Sequence, residues 1–303
     1  MSMVVIGSVF VDVKGYPIEE YIPGGRNAGR VEQVHGGVAR NIAEDIAHVG
    51  EPVAFVSLVD ETGAGTDVID RLRAGGAETK YIRRTPDGMG TWLAVFDHHN
   101  EVAAAISKRP DLLPIGSILD DCGDEIFANA DSALLELDLE PETVEKVYRL
   151  AEKHGVPVYA AVSNMRIALQ NRAYLPKTAC FVCNEQEADI LFPGKLVGLS
   201  ADTLAPALQA IMGTLGMDAI VVTLAEQGAV YASAEACGRV PAEQVAVMDT
   251  TGAGDAFFAG VSVGLSRGAS LKRACEIGTL LAAKVISTTE NVCPPMTVQL
   301  EEA

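Results

Sequence analysis

At residues 249–260 the chain reads DTTGAGDAFFAG, a glycine-rich turn that follows a strand-like run, Val245–Met248, and leads into an apolar helical segment. Glycine lets a backbone approach a ligand closely, and the free N–H groups of a first helical turn, together with the helix dipole, attract anions. Asp255 lies inside this turn, where its carboxylate would repel a phosphate unless it deprotonates an attacking hydroxyl. An acidic residue in a first turn also stabilises a helix by itself. The turn alone therefore leaves catalysis and helix capping open.

A second glycine cluster lies near the start of the chain, where residues 35–45 read HGGVARNIAED. Gly36 and Gly37 would open a helix, and Asn41 follows about one turn later. A side-chain amide both donates and accepts hydrogen bonds, which is the mixture that a polyol needs. The cluster therefore predicts a polyol site. The sequence has no Gly-x-x-x-x-Gly-Lys-Ser/Thr segment, which excludes a Walker-type phosphate loop.

Short apolar runs that alternate with helical segments predict the fold. Such runs fit parallel strands buried on both faces, and they lie at residues 3–6, 53–58, 133–137, 156–160, 179–183 and 219–223. The alternation predicts an α/β fold over residues 1–303 as a single domain, with a doubly wound, mostly parallel sheet flanked by helices. Two turn-rich insertions, about residues 8–34 and 77–107, predict a small β-sheet lid.

The composition excludes several classes of protein. The chain has 303 residues, 49% of them hydrophobic, and a formal net charge of −18. Its hydrophobic content excludes intrinsic disorder, and its acidity argues against nucleic acid and membrane surfaces as partners. We expect a cytoplasmic protein, because there is no signal peptide and no apolar run of the roughly 18 residues that a membrane span needs. Cys180 and Cys183 lie in an apolar run and are predicted to be buried, reduced thiols.

Together the two glycine clusters resemble the signature motifs of the ribokinase-like (PfkB) carbohydrate kinases. Gly-Gly-x-x-x-Asn near the start and Asp-Thr-x-Gly-Ala-Gly-Asp near the end occur in the family's order. Two intermediate segments are similar as well. Residues 184–187, NEQE, resemble the family's Asn-x-x-Glu, and residues 223–228, TLAEQG, resemble its nucleotide turn. The resemblance covers essentially the whole chain, including the lid.

The resemblance implies an ATP-dependent kinase that phosphorylates a hydroxyl, usually a primary one, of a sugar or sugar derivative. Asp255 is then the general base, and the N–H groups of Gly252, Ala253 and Gly254 hold the transferring phosphoryl group. The other implied contacts are Asp12, Gly36, Gly37 and Asn41 for the substrate, Thr223, Ala225 and Gly228 for the nucleotide, Asn184 and Glu187 for Mg²⁺ through water, and Asp249 and Thr251 for a monovalent cation such as K⁺.

Two positions depart from the family pattern. Phe10 stands where Asn is common, two residues before Asp12, and its ring could stack on a base or pack under the lid. Ala225 replaces the usual Gly of the nucleotide turn, which leaves the path of that loop open. Arg26, Arg30 and Arg40 lie near the substrate motif and are interpreted as surface residues, with recognition of an acidic sugar as the alternative.

Other functions stay open beside a sugar kinase. One is a nucleoside kinase of the same family, for example a pseudouridine kinase, and another is a non-catalytic sugar- or nucleotide-binding regulatory protein. Asp255 argues against the second, because a pure binder gains nothing from a carboxylate against a phosphate. A dinucleotide-dependent oxidoreductase is disfavoured, since no Gly-x-Gly-x-x-Gly follows the first strand. The apolar lid segment Trp92–Phe96 favours a homodimer through the lid.

Overall fold

The apolar runs of the sequence form the parallel strands of a central sheet in the computed structural model, which describes residues 2–99, 102–196 and 198–299. The strands of this part of the chain are β1 Met3–Ile6, β2 Phe10–Pro17, β3 Gly29–Gly36, β4 Val53–Val59, β5 Ile82–Arg84, β6 Gly90–Phe96, β7 Val102–Lys108, β8 Ser132–Glu136, β9 Val158–Ala161, β10 Cys180–Asn184, β11 Ala219–Thr223, β12 Ala229–Ser233 and β13 Cys237–Val240. The central sheet has the order β13-β12-β11-β10-β9-β8-β1-β4-β5.

Parallel pairing runs through this sheet from β11 to β5, and an antiparallel hairpin of β12 and β13 closes its other edge. The predicted mostly parallel sheet is therefore confirmed. Parallel strands end at a common edge, so β1, β8, β10 and β11 direct their carboxyl ends to one side of the molecule. Cys180 and Cys183 are buried in β10 as unbonded thiols, as the apolar run predicts.

Helices cover both faces of the sheet, which confirms the doubly wound arrangement. They are α1 Val38–His48, α2 Gly63–Ala74, α3 Leu113–Ala128, α4 Pro141–His154, α5 Met165–Ala168, α6 Glu185–Leu191, α7 Ala201–Leu215, α8 Ala253–Ser266 and α9 Leu271–Ile286. One apolar core contains residues of α1, α2, α8 and α9, and the other contains residues of α3 to α7. In the described part of the chain, no helix is both long and apolar enough to cross a membrane.

A separate four-stranded sheet of order β3-β2-β6-β7 forms the lid, as predicted from the two insertions. The lid strands run slightly past the predicted insertions, since β3 ends at Gly36 and β7 ends at Lys108. Within the second insertion, however, β5 pairs with β4 and belongs to the central sheet rather than to the lid. Residues 100 and 101 of this insertion lie outside the described residues.

The predicted strand at Val245–Met248 is wrong. These residues are irregular, and Val245, Val247 and Met248 are exposed. The pattern of Val and Met is typical of a strand, but the antiparallel β12 and β13 already end the sheet. A strand needs a neighbour to pair with, and this segment instead crosses the surface to reach α8.

Helices α8 and α9 approach each other closely because glycine lies at their contact. A β-carbon on Gly260 would be 2.8 Å from Gly278 Cα, and one on Gly264 would be 2.8 Å from Ala274 Cα. Both distances are well inside van der Waals contact, so the backbones nearly touch. This pair of helices supports the glycine-rich turn, which is the start of α8.

We predict opposite effects of Gly→Ala substitution on these helices and on α7. Gly260→Ala should lower the free energy of unfolding by about 1–2 kcal/mol, because overpacking costs more than the helix propensity gained. Gly213→Ala, on the exposed side of α7 with no atom within 4 Å of the new β-carbon, should raise it by about 0.5–1 kcal/mol. Urea denaturation measures both, and a Gly260→Ala variant at least as stable as the parent would contradict the close packing.

Candidate active site

The glycine-rich turn begins α8 at the carboxyl edge of the sheet. Gly252 precedes the helix with φ 83°, and a β-carbon there would lie 2.1 Å from the carbonyl oxygen of Asn291. Only glycine fits this position, because the left-handed backbone and the close approach each exclude a side chain. The N–H of Ala253 donates to the carbonyl of Thr250 over 3.3 Å, so this predicted phosphate donor is engaged within the turn. The first turn of α8 presents its other N–H groups at the helix start, as an anion site requires.

Asp255 lies half-buried in this first turn and meets Asn41 from the other glycine cluster. Asn41 Nδ2 donates to Asp255 Oδ2 at 2.6 Å, across a sequence separation of 214 residues. Burial raises the pKa of Asp255 to about 7, although the Asn41 hydrogen bond and the charge of Arg40 lower it. A carboxylate with this pKa is matched to proton abstraction near neutral pH. The structure thus brings two of the predicted site residues together.

Asn41 keeps one polar atom free for a ligand. Among the described residues, its Oδ1 is a buried oxygen without a hydrogen-bond partner. Buried polar atoms are nearly always satisfied, so an orphan beside Asp255 indicates a group that the site expects to bind. A hydroxyl that donates to Asn41 Oδ1 would lie next to the carboxylate.

Asp12 and the Gly36-Gly37 pair form the neighbouring wall. A β-carbon on Gly36 would lie 2.5 Å from both carboxylate oxygens of Asp12, so glycine alone leaves room for this side chain. Gly37 caps α1 with φ 97°. Asp12 is buried, and burial raises its pKa against the lowering effect of Lys14 and Arg40. Asp12 is also close enough for its charge to act on Asp255, so the lid strand β2 brings this side chain to the Asn41–Asp255 pair.

Arg40 is buried, so its interpretation as a surface residue is wrong. Its side chain is 1% exposed, donates to the carbonyls of His35 and Gly36, and pairs with Glu44 at 2.5 Å. The guanidinium therefore holds the carbonyl groups of His35 and Gly36 on its own side of the glycine loop. The N–H groups of the same peptide bonds then face the opposite side. The i, i+4 spacing of Arg40 and Glu44 is the sequence signal that could have indicated this pair.

Asn184 and Glu187 form the N-terminal cap of α6. Asn184 Oδ1 accepts the N–H of Glu187, and a carboxylate oxygen of Glu187 accepts the N–H of Asn184, both at 2.8 Å. Burial raises the pKa of Glu187, whose charge also acts on Asp255. The other oxygen of Glu187 fits Mg²⁺, which prefers carboxylates and water. Nowhere in the described residues do three His, Cys, Asp or Glu side chains form a metal cage, so Mg²⁺ here would be held largely through water and phosphate.

A buried acidic pair at the end of β8 was not predicted. Ser8 donates its N–H to Glu136 at 2.7 Å, and Ser163 and Arg109 donate to Asp138 at 2.8 and 3.1 Å. Burial, together with the neighbouring charge of Asp138, raises the pKa of Glu136 to about 7. The sequence signal for this pair is weak, because it consists only of two acidic residues, Glu136 and Asp138, at the end of an apolar run.

The predicted nucleotide turn begins where β11 ends, at Thr223. Ala225 has φ 48°, the left-handed conformation that glycine adopts more readily. Gly228 has φ 90°, and a β-carbon there would lie 2.1 Å from the carbonyl oxygen of Val240. The loop therefore takes a glycine-type path at Ala225 despite the substitution, and Gly228 is required by its contacts.

Asp249 and Thr251, predicted to hold a monovalent cation, both contact a lysine that sequence analysis missed. Lys14 Nζ lies 3.2 Å from Asp249 Oδ2 and 3.4 Å from Thr251 Oγ1. The other carboxylate oxygen of Asp249 accepts the N–H and the hydroxyl of Thr251 at 2.9 and 2.8 Å. Lys14 comes from lid strand β2, so this contact joins the lid to the glycine-rich turn.

Comparison with known proteins shows which family shares this sequence and fold. The family model described as "pfkB family carbohydrate kinase" matches residues 1–295. The chain is 33% identical over 299 residues to the guanosine-inosine kinase of Exiguobacterium acetylicum, covering 97% of each chain. It is 25% identical over 308 residues to the pseudouridine kinase of Escherichia coli, covering 95% of this chain and 96% of the relative. The ribokinase structure from Giardia lamblia superposes with a TM-score of 0.83 at 19% identity, covering 97% of each chain.

Proposed function

The chain belongs to the pfkB family of carbohydrate kinases, and we propose that it transfers the γ-phosphate of ATP to the primary hydroxyl of a nucleoside, with Asp255 as the general base. Membership of the family makes it a sugar or nucleoside kinase, a phosphotransferase with an alcohol acceptor. The observation that carries the proposal is the hydrogen bond between Asn41 and Asp255, which joins a polyol site to an anion site. A carboxylate between the two is where an acceptor hydroxyl must lose its proton.

The proposed reaction follows from these positions. Asn41 and Asp12 hold the acceptor, and Asp255 takes the proton of its hydroxyl as the oxygen attacks the γ-phosphorus. The bond from that phosphorus to the bridging oxygen breaks, and ADP leaves with the bonding electrons. N–H groups at the start of α8 stabilise the charge on the transferring group. Asn184 and Glu187 would hold Mg²⁺ through water, and the bound ion would neutralise charge on the phosphates.

Two aromatic side chains on the lid favour a nucleoside over a free sugar. Phe10, Asp12 and Lys14 alternate along β2 and so share the face that points to Asp255. Trp92 pairs with Asp12 across β2 and β6 and shares the same face. The ring of Phe10 lies over Gly90, where a β-carbon would come within 2.3 Å. Partly exposed rings beside a polyol site fit the flat face of a base.

The relatives support this choice of acceptor. The guanosine-inosine kinase and the pseudouridine kinase that match the chain nearly end to end are both kinases of nucleosides by name. A sugar kinase is the alternative, since ribokinases match the chain as well. A nucleoside kinase differs from a sugar kinase here in that its lid aromatics, Phe10 and Trp92, would contribute to acceptor binding.

We also propose that two copies associate through the outer face of the lid. Leu93 pairs with Ile106, and Val31 lies on the same side by register, opposite to the face of Asp12. The exposed fractions of Val31, Leu93 and Ile106 are 71%, 42% and 69%. Exposed apolar side chains gathered on one sheet face are typical of a protein interface.

Asp255→Asn should lower kcat by about 10²–10⁴-fold, because no carboxylate then takes the proton of the acceptor hydroxyl, while ATP affinity is retained.

In the unsubstituted enzyme, kcat/KM should fall as the pH drops below about 7, since Asp255 must be ionised to act as a base. Asn41→Ala removes a hydrogen bond that lowers this pKa, so its acid limb should move to higher pH. Steady-state kinetics across pH and ATP titration calorimetry measure these effects. Unchanged turnover in Asp255→Asn would sink the mechanism.

Trp92→Ala should raise KM for a nucleoside by about 5-fold to 100-fold, in line with the free energy of base stacking, and leave KM for ATP unchanged. The matched control is Leu113→Ala, which shortens an exposed apolar side chain on α3, outside the lid. ADP release over a panel of nucleosides and free sugars identifies the acceptor. Efficient phosphorylation of ribose that is insensitive to Trp92→Ala would favour the sugar kinase instead.

Ile106→Lys should convert a dimer into a monomer, because it places a charge in the proposed interface. Leu113→Lys is the control, since Leu113 is also exposed and apolar but lies on α3, outside the lid. Sedimentation velocity gives the mass of each. An unsubstituted protein that sediments as a monomer at micromolar concentration would exclude this interface.

A further inference from the structure

Lys14 is an almost completely buried lysine that spans the gap between the lid and the glycine-rich turn. Its side chain is 3% exposed, and its ammonium pairs with Asp249 across 235 residues of sequence. Lysine is rarely buried, because removing an ammonium group from water is costly unless it gains a partner. The contact therefore reflects a specific requirement at this position rather than a chance surface ion pair.

The lid is built to hold this side chain in one place. Lys14 pairs with Ala94 across β2 and β6, and Trp92 and Phe96 lie on the same face on either side of Ala94. The two rings make an edge-to-face contact with centroids 6.3 Å apart, and Tyr16 stacks on Phe96 at 4.8 Å. The small side chain of Ala94 leaves room for the lysine stem between larger neighbours.

In the turn that receives the ammonium, the side-chain oxygens of Asp249 and Thr251 all have contacts. Asp249 Oδ1 accepts two hydrogen bonds from Thr251, and Asp249 Oδ2 faces Lys14. The ammonium of Lys14 thus balances the charge of this carboxylate at ion-pair distance, 3.2 Å. Thr251 directly precedes Gly252, so this pairing sets the start of the anion site.

These residues do not fit the monovalent cation that the family resemblance implies for Asp249 and Thr251. An ammonium group carries the same charge as K⁺ and makes oxygen contacts of similar length, and here it already lies against both side chains. A second cation would meet a neutralised carboxylate and a positive neighbour. A tethered cation also needs no recruitment from solution, because it is always present at high effective concentration.

We propose that the ammonium of Lys14 replaces a bound monovalent cation and positions the Gly252–Gly254 turn, so that the enzyme works without K⁺. The inference rests on the proposed kinase function for its activity readout, though not for its binding readout. Because Lys14 and Asp12 lie on one strand, the same lid closure that brings Asp12 to the acceptor brings the cation to the phosphate turn. Lys14 acts through Asp249 and Thr251 and is therefore a positioning residue.

The first test uses the unsubstituted protein at constant ionic strength. Exchange of KCl for tetramethylammonium chloride should change neither kcat nor the melting temperature, because tetramethylammonium is too large to replace K⁺ among oxygen ligands. Strong stimulation by K⁺, or a clear rise in melting temperature with K⁺, would overturn the proposal without any variant.

The second test removes the ammonium. In tetramethylammonium chloride, Lys14→Ala should lower kcat by about 10-fold to 100-fold, as expected for a misplaced phosphate turn. KCl or NH4Cl should restore much of this loss and raise the melting temperature by a few degrees, since an added ion then binds only the folded state. Lys14→Met, which fills the same space without charge, should be impaired and not restored. Lys108→Ala, which removes a surface lysine of the lid paired with Asp87, should show neither effect.

The two readouts separate failure of this inference from failure of the proposed function. Stabilisation of Lys14→Ala by K⁺ needs no acceptor, so it would support the inference even if no nucleoside were phosphorylated. Phosphorylation of nucleosides by the unsubstituted enzyme, combined with a Lys14→Ala variant that K⁺ neither stabilises nor reactivates, would reject the inference and keep the function.

Discussion

The hydrogen bond from Asn41 to Asp255 is the contact on which the site depends. It joins the first turns of α1 and α8, whose starts both lie at the carboxyl edge of the parallel sheet. Burial opposes the negative charge of this carboxylate, whereas the Asn41 hydrogen bond and the charge of Arg40 favour it. The balance gives Asp255 a pKa of about 7. Close packing at Gly260 and the Arg40 contacts to the glycine loop matter because they hold these two helix starts in place.

The net charge of −18 would repel ATP, a polyanion, if charge were spread evenly over the protein. Several carboxyl groups even gather at the site, and burial raises the pKa values of Asp12, Glu136, Glu187 and Asp255. Glu136 and Asp255, each with a pKa of about 7, carry less negative charge near neutral pH, and the N–H groups of α8 supply positive potential locally. Global charge therefore governs solubility and long-range partners, whereas the site takes its potential from helix ends and from Lys14.

Sequence patterns predict features that depend on local backbone conformation, and they miss features that depend on contacts made by the whole fold. Gly252 and Gly37 each adopt a backbone conformation suited to glycine, so their motifs carry the information by themselves. Lys14 was missed because its role comes from a contact with Asp249, a partner that only the fold brings near. Arg40 has its partner Glu44 close in sequence, but its burial comes from packing that only the fold creates. The strand predicted at Val245–Met248 failed for the same reason, since propensity cannot show that no neighbouring strand is available.

Strand β2 concentrates three proposed tasks on one face: Phe10 toward a base, Asp12 toward a hydroxyl and Lys14 toward the phosphate turn. Side chains alternate along a strand, so a slip of one residue would turn all three away together. Gly36 and Gly90 maintain the register of β2 with β3 and β6. Gly36 leaves space for Asp12, and Gly90 lies under the ring of Phe10. Closure of this strand over the site therefore acts as a unit. In the proposed reaction, an acceptor that binds Asp12 would also favour the position of Lys14, which would couple acceptor binding to assembly of the phosphate turn and limit transfer to water.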